Sequence, residues 1–269
     1  MRIKFFIIAL SLCAGHQSHA QDTLTLYYDK KGKEVLSDKA DYIRKKFRNG
    51  DEWGVIDYYK SGKLNMKGNY LDDSCTHRQG EFIFYDKNGN PMFQMNFLND
   101  KADGPYSAFY PNGKKHSEGN YKIGKMDGDW TGHYESGNIS AKAHYENGKQ
   151  QSASFYNEDG TANHDIKVFF RDASYPGGAT AWHDYLVSQL RYPNSAVKNN
   201  IEGRVLVEFT IEKSGDITDI SVVQSVEESL DKEALRVIKK MPKWEPAIVG
   251  GIVDKQTVRQ PVVFALRSK

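Results

Sequence analysis

Cysteine is almost missing from this chain, with two in 269 residues. Cys13 sits in an N-terminal stretch that reads as a removable leader, which leaves Cys75 alone. One thiol closes no internal disulfide, so stability has to come from packing. Charge of one sign is missing as well. The formal net charge is +2, and Arg2 and Lys4 of the leader account for both units. A formally neutral mature chain carries no electrostatic footprint for nucleic acid or anionic membrane. Long apolar runs are also absent. Phe5–Ala14 falls well short of the roughly 20 residues a membrane span needs.

Motifs of common enzyme classes are missing too. Gly177-Gly178 follows no strand with a Gly-x-Gly-x-x-Gly run and precedes no Lys-Ser/Thr, so it is a turn and not a phosphate loop. Asp72-Asp73-Ser74-Cys75-Thr76-His77 puts hard and soft metal ligands in one loop. No second Cys/His pair stands at zinc spacing, so the stretch reads as a solvated connection. Nothing places Cys75 beside a histidine as a nucleophile pair. His116, His133, His144, His164 and His183 show no repeated spacing. The sequence therefore predicts no catalytic residue, metal or cofactor.

At the N-terminus, Arg2 and Lys4 precede the apolar Phe5–Ala14, and Ser18-His19-Ala20 ends in small residues. This pattern predicts a signal peptide over 1–20, cut before Gln21. Acylation of Cys13 is disfavoured by the bulk of Leu12.

Residues 21–165 are periodic. Turns at Lys31-Gly32, Ser61-Gly62, Asn88-Gly89, Asn112-Gly113, Ser136-Gly137 and Asp159-Gly160 each follow a tyrosine. Those tyrosines are Tyr28, Tyr59, Tyr85, Tyr110, Tyr134 and Tyr156, spaced 31, 26, 25, 24 and 22 residues apart. Closing aromatics follow at Tyr42, Tyr70, Phe97, Tyr121 and Tyr145. The spacing predicts an antiparallel β-hairpin array, since Asn-Gly and Asp-Gly supply the positive φ of tight hairpins. Asp103-Gly104 and Asp127-Gly128 are expected to join one hairpin to the next. Ala40–Phe47 is expected to hold a helical turn. The aromatic face of Tyr59, Tyr85, Tyr110, Tyr134 and Tyr156 either ties hairpins together or stacks sugars or choline-like cations.

Beyond a short linker at 166–174, the segment 175–269 changes character. Trp182, Tyr185, Leu186 and Leu190 share a helical face that Tyr192-Pro193 ends. Val205, Val207, Phe209 and Ile211 alternate with polar residues along a strand, and Ser214-Gly215-Asp216 turns it into a return strand over Ile217–Gln224. Leu230, Ala234, Val237, Ile238 and Met241 form the stripe of a second helix capped by Ser229, and Thr257–Leu266 is a last strand. The reading is α+β: a hairpin array, then a small α-β-β-α-β domain with a three-stranded antiparallel sheet.

Tyr175-Pro-Gly-Gly, Tyr192-Pro193, Glu202-Gly203-Arg204-Val205, Ser214-Gly215, Leu230-Asp231 and Trp244-Glu245-Pro246-Ala247 together resemble the C-terminal domain of the TonB family, the periplasmic energy transducers of Gram-negative bacteria. The periodic Tyr-x-x-Gly pattern resembles the MORN-repeat variant, some of whose members are grouped with antitoxins. The TonB resemblance implies that the last strand accepts an outer-membrane receptor's N-terminal segment. It carries that role to Gln256, Val258, Gln260, Val262 and Phe264. Pro261 independently marks this strand as an edge, because proline cannot donate to a sheet ladder. Edge protection by Pro261, Lys255 and Arg259 is the plainer reading, and the two coexist.

The sequence thus predicts a non-enzymatic periplasmic protein that contacts an outer-membrane receptor or another periplasmic protein. It is uncoupled from an inner-membrane motor unless its leader is retained, and its short linker contrasts with the long proline-rich spacer of the transducers. Alternatives are a cell-wall or carbohydrate binder and an antitoxin-like partner, each acting through the repeats. A domain-swapped homodimer is compatible with the exposed edge.

Overall fold

The computed structural model describes residues 23–29 and 32–266. The expected signal peptide lies outside the described residues. The fold is mixed α and β, rich in antiparallel strands and poor in helices.

Eleven strands form one sheet in strict chain order. They are β1 (Leu24–Tyr28), β2 (Tyr42–Asn49), β3 (Glu52–Tyr59), β4 (Leu64–Tyr70), β5 (Arg78–Tyr85) and β6 (Pro91–Leu98), then β7 (Lys101–Phe109), β8 (Lys115–Lys122), β9 (Lys125–His133), β10 (Ile139–Glu146) and β11 (Lys149–Phe155). Every neighbouring pair is antiparallel, so the hairpins join edge to edge into a continuous meander. A hairpin's marginal stability is thereby spread over a long ladder.

The hairpin turns close with one pair of backbone bonds, made by the tyrosine itself at Gly62, Gly113 and Gly137 and by the residue after it at Gly32, Gly89 and Gly160. The Gly113 amide donates to the Tyr110 carbonyl at 2.8 Å, and the Tyr110 amide donates to the Lys114 carbonyl at 2.8 Å. Gly113 takes φ 81°, a region that costs a glycine little. The connections between hairpins differ from expectation. Asp103-Gly104 and Asp127-Gly128 lie inside β7 and β9, not in turns. Gly104 and Gly128 have φ 109° and 72°, and the register shifts opposite them, between Met95 and Phe97 and between Glu118 and Asn120. Both are β-bulges, the other use of a positive-φ glycine. The chain reverses earlier, at Asn99-Asp100 and Ile123-Gly124, all four with positive φ. Ala40–Phe47 is also corrected: the 3₁₀ turn lies before it, at Ser37–Lys39, and Tyr42–Phe47 belongs to β2.

The bulges aim the core. Two residues after Gly80, Gly104 and Gly128 stand Phe82, Tyr106 and Trp130. Phe82 and Trp130 are fully buried. Phe82 meets Tyr70 and Phe97 edge-on at 5.2 Å each, and Trp130 meets Tyr121 at 5.2 Å. Each ring also lies across a glycine on the adjacent strand. A Cβ on Gly119 would come within 2.1 Å of the Trp130 ring, and one on Gly68 within 2.4 Å of Phe82.

The connector is packed rather than free. Phe169 is fully buried, 6.1 Å from Trp130, and Phe170 is 5.7 Å from it. Arg171 and Ser174 bridge to Ile248 and Glu245.

The C-terminal elements are α1 (Gly178–Gln189), α2 (Asn194–Lys198), β12 (Gly203–Ile211), β13 (Ile217–Gln224), α3 (Glu228–Ile238), the hairpin β14 (Ala247–Val249) and β15 (Ile252–Asp254), and β16 (Gln256–Phe264). The second sheet runs β13-β12-β16, antiparallel throughout. Val205, Val207, Phe209 and Ile211 of β12 are completely buried, as are Leu230, Ala234 and Ile238 of α3 and Val262 of β16. Each buried aliphatic side chain contributes about 1.5–3 kcal/mol relative to exposure. Trp244 packs edge-on against Phe209 at 5.4 Å and Tyr175 at 5.7 Å, which ties the Tyr175-Pro-Gly-Gly turn to this core. The cap of α3 is Glu227, whose carboxylate accepts from the Ser229 amide at 2.9 Å, and not Ser229 itself.

Two outcomes follow for stability. Gly119→Val forces its side chain into Trp130, and overpacking of this kind costs about 1–3 kcal/mol. The urea midpoint should fall with an unchanged slope. His116 is buried and edge-on to Tyr110 at 4.6 Å. Burial holds its pKa below the ordinary histidine value, Lys213 and His133 add to this, and Asp254 opposes it. The unfolded chain therefore binds this proton more readily than the native one. Stability is lost as pH falls through the ordinary histidine pKa of about 6.5. Thermal melts between pH 7.5 and pH 5 should show this loss, and His116→Asn should flatten it.

Candidate functional site: the free edge of β16

β16 pairs with β12 through nine residues, from Gly203 opposite Phe264 to Ile211 opposite Gln256. No strand among the described residues pairs with its other side. Side chains and backbone groups both alternate along a strand, and that alternation decides what a partner could touch. Val262 and Phe264 are buried in the core, and Gln256, Val258 and Gln260 are part-buried on the same side. Thr257, Arg259 and Val263 are exposed.

Pro261 settles the backbone direction. It stands opposite Leu206. Facing residues in an antiparallel ladder exchange both hydrogen bonds or neither. The ladder stays whole when Pro261 belongs to a pair whose groups point away from β12. Thr257 and Arg259 share that parity. Their side chains meet those facing them, Thr257 Oγ1 lying 3.0 Å from Thr210 Oγ1 and Arg259 Nε 2.7 Å from Glu208 Oε2. Such closeness suits non-hydrogen-bonded pairs, where facing strands approach most nearly. The outward amides are then those of Thr257, Arg259 and Val263, with Pro261 contributing a carbonyl alone. Sequence reasoning found the strand and selected its core-facing residues. The backbone of the intervening residues forms the open edge.

The start of the strand is anchored. The Gln256 side chain accepts from the Ala173 amide at 2.7 Å and donates to Asp172 Oδ1 at 2.9 Å. At the other end, the Leu266 amide donates to Glu202 Oε1.

The repeat tyrosines are occupied differently. Tyr59 Oη donates to the Tyr85 carbonyl at 2.8 Å, Tyr110 Oη to the His133 carbonyl at 2.7 Å, and Tyr134 Oη to the Tyr156 carbonyl at 2.8 Å. Tyr85 is buried, and Tyr156 is half-buried at the end of this series. Each donating hydroxyl thus reaches one repeat forward and ties neighbouring turns. Burial pushes the Tyr110 and Tyr134 hydroxyls up, which keeps them protonated as donors.

The Asp72–His77 loop folds around a single carboxylate. Asp72 accepts from the backbone amides of Thr76 and His77, the latter at 2.7 Å, and from the Ser74 hydroxyl. These bonds, led by Ser74, hold its carboxyl well below the usual carboxylate range. The acid that looked free for a metal already serves the loop. Burial pushes the Cys75 thiol up, which disfavours the nucleophilic thiolate. Among the described residues, no three His, Cys, Asp or Glu side chains cluster as a metal site. No described helix is long and apolar enough to cross a membrane. His144 Nδ1 lies 2.7 Å from Asp129 Oδ1, but its Nε2 faces Glu146 Oε1 at 4.0 Å, an ion-pair environment rather than a general base.

Tyr134→Phe removes one ladder hydrogen bond and should cost about 0.5–1.5 kcal/mol. A lower melting temperature with an unchanged circular dichroism spectrum is expected. An unshifted melt would remove the tying role.

Residues 188–266 match the family of the Gram-negative bacterial TonB protein C-terminal. Residues 78–99, 102–122 and 126–147 match the MORN repeat variant, one hairpin per match. Protein TonB of Pseudomonas aeruginosa is 42% identical over 71 residues, which is 25% of this chain and 20% of that protein. Protein TonB of Helicobacter pylori is 49% identical over 66 residues, 23% of each. The chain therefore spans about a fifth of the length of these curated relatives. The solution structure of the Helicobacter pylori TonB C-terminal domain is 30% identical, covering 34% of this chain and 95% of that one, with a TM-score of 0.27. The chain thus carries a segment that matches the TonB C-terminal family, residues 188–266, preceded by three matches to the MORN repeat variant within residues 78–147.

Proposed function

We propose that this chain is a non-catalytic cell-envelope protein whose β16 edge accepts an extended strand from an outer-membrane receptor or another periplasmic protein, as part of TonB-type transport. The observation that carries the reading is the unpaired edge of β16, set within the segment that matches the TonB C-terminal family. Strand addition draws affinity from main-chain hydrogen bonds and register from alternate side chains. The outward groups of Thr257, Arg259, Pro261 and Val263 supply the first, and the exposed side chains of Arg259 and Val263 the second. We assign export to the leader at 1–20. We also keep the division into 21–165 and 175–269, with 166–174 as a packed connector. The tyrosine hydroxyls bound within the ladder weigh against sugar binding by the repeats.

An amide NMR titration of the full chain with peptides from receptor N-termini tests the reading. Shifts should concentrate on Gln256–Phe264. Val263→Pro removes an outward donor while sparing the ladder to β12, and should weaken binding about three- to tenfold. Val262→Pro, by contrast, breaks that ladder and unfolds the site. Absence of shifts at millimolar peptide would reduce the family likeness to one of fold.

A further inference from the structure

One transverse row of the long sheet has an anomalous composition. Facing residues run from Phe84 to Phe93 and on to Ala108, and the row ends with Ala141 opposite Phe155. Between those aromatic flanks the row holds only Ala108, Ser117, Gly132 and Ala141. The trend also shows along the sequence. Four residues after successive bulge glycines stand Phe84, Ala108 and Gly132. Ser117, Gly132 and Ala141 are buried, although none of them carries a large apolar side chain of its own.

The gap is filled by the turn of the β14–β15 hairpin, Gly250-Gly251. A Cβ on Gly132 would lie 2.1 Å from the Gly250 carbonyl oxygen, so the two backbones touch. A Cβ on Gly251 would lie 2.6 Å from that of Ala141 and 2.9 Å from the Phe155 ring. Ser140 Oγ, fully buried, donates to the Gly250 carbonyl at 2.7 Å. The Gly251 amide donates to the Phe169 carbonyl at 3.0 Å, and Ile248 and Arg171 exchange backbone bonds at 2.8 and 2.9 Å. Both glycines take positive φ, 59° and 76°, which a side chain would strain.

We propose that this small-residue gap and the Gly250-Gly251 turn form an intramolecular latch that makes the repeat sheet and the C-terminal sheet one rigid body. The partner that fits the surface is a glycine-tipped β-turn, and this chain supplies it. β15 runs into β16 through Lys255 alone, so the latch fixes the start of the open edge relative to the repeats. The repeats then serve as a stiff arm that orients the edge, not as a flexible spacer. The latch is independent of whatever β16 binds.

Hydrogen exchange and thermal unfolding of the full chain test it. Gly132→Val places branched carbons against the Gly250 carbonyl, backbone that no rotamer change can clear. The amides of Ile248 and Gly251 should exchange at least about tenfold faster, those of β12 should keep their protection, and one thermal transition should split into two. Unchanged protection at Ile248 and Gly251 with a single transition would overturn the latch. Ser140→Ala serves as a second variant if Gly132→Val fails to fold. It removes only the hydroxyl donor, and should speed Gly251 exchange several-fold. No change there would also overturn the proposal.

Discussion

Close backbone approach at glycine is the constraint on which this structure depends. A meander of short hairpins has little apolar surface per strand, and it gains a core only where rings can lie flat across neighbouring strands. Gly54, Gly68 and Gly119 leave that room for Phe47, Phe82 and Trp130. Gly132 uses the same absence of a side chain to admit another piece of backbone. The ring contacts of Trp130 then reach Phe169 and Phe170, so the repeat core continues into the connector without a break. Packing that needs a missing Cβ tolerates almost no substitution, because the obstructing atoms belong to buried rings or to main chain.

This packing determines which surfaces remain available. The tyrosine hydroxyls that looked like a binding ladder are spent on the turns of the next repeat. The carboxylate that looked like a metal ligand is spent on its own loop. β11 is tied to the connector at one point, where the Gln150 side chain bonds the Phe169 amide and the Lys167 carbonyl. In β16 the core face is filled, the inner edge is paired, and the outer edge is open. Pro261 and Arg259 blunt that edge against indiscriminate pairing while leaving three amides and a run of carbonyls outward. The residues that protect this edge are therefore the ones that the proposed strand addition would use.

Much of this was legible in the sequence. The alternation of Val205–Ile211, the turn at Ser214-Gly215 and the stripe of α3 place the second sheet and its helix where they lie. The hairpin turns are equally plain, since Tyr-x-x-Gly states its own geometry. The glycine bulges were not, because Asp-Gly serves a turn and a bulge alike, and only pairing register separates them. The buried rings carry a signal that was available and overlooked: Gly-x-aromatic, at Gly80 to Phe82, Gly104 to Tyr106 and Gly128 to Trp130. The β14–β15 hairpin reads as an apolar run with two glycines in it, a hairpin signal. Its seat on a row of small residues could not be read, because that row is assembled from strands far apart in the chain. The site residues were half legible. Proline identified the edge, but which parity faces outward depends on the register with β12.

Everything proposed for β16 depends on its outer edge being open in the free chain. Residue-resolved amide exchange of the free full-length chain tests it most directly. Fast exchange is expected at Thr257, Arg259 and Val263, interleaved with slow exchange at Val258, Gln260 and Val262. Uniformly slow exchange along β16 would mean that the edge is already covered, by another part of the chain or by a second copy, and would contradict it.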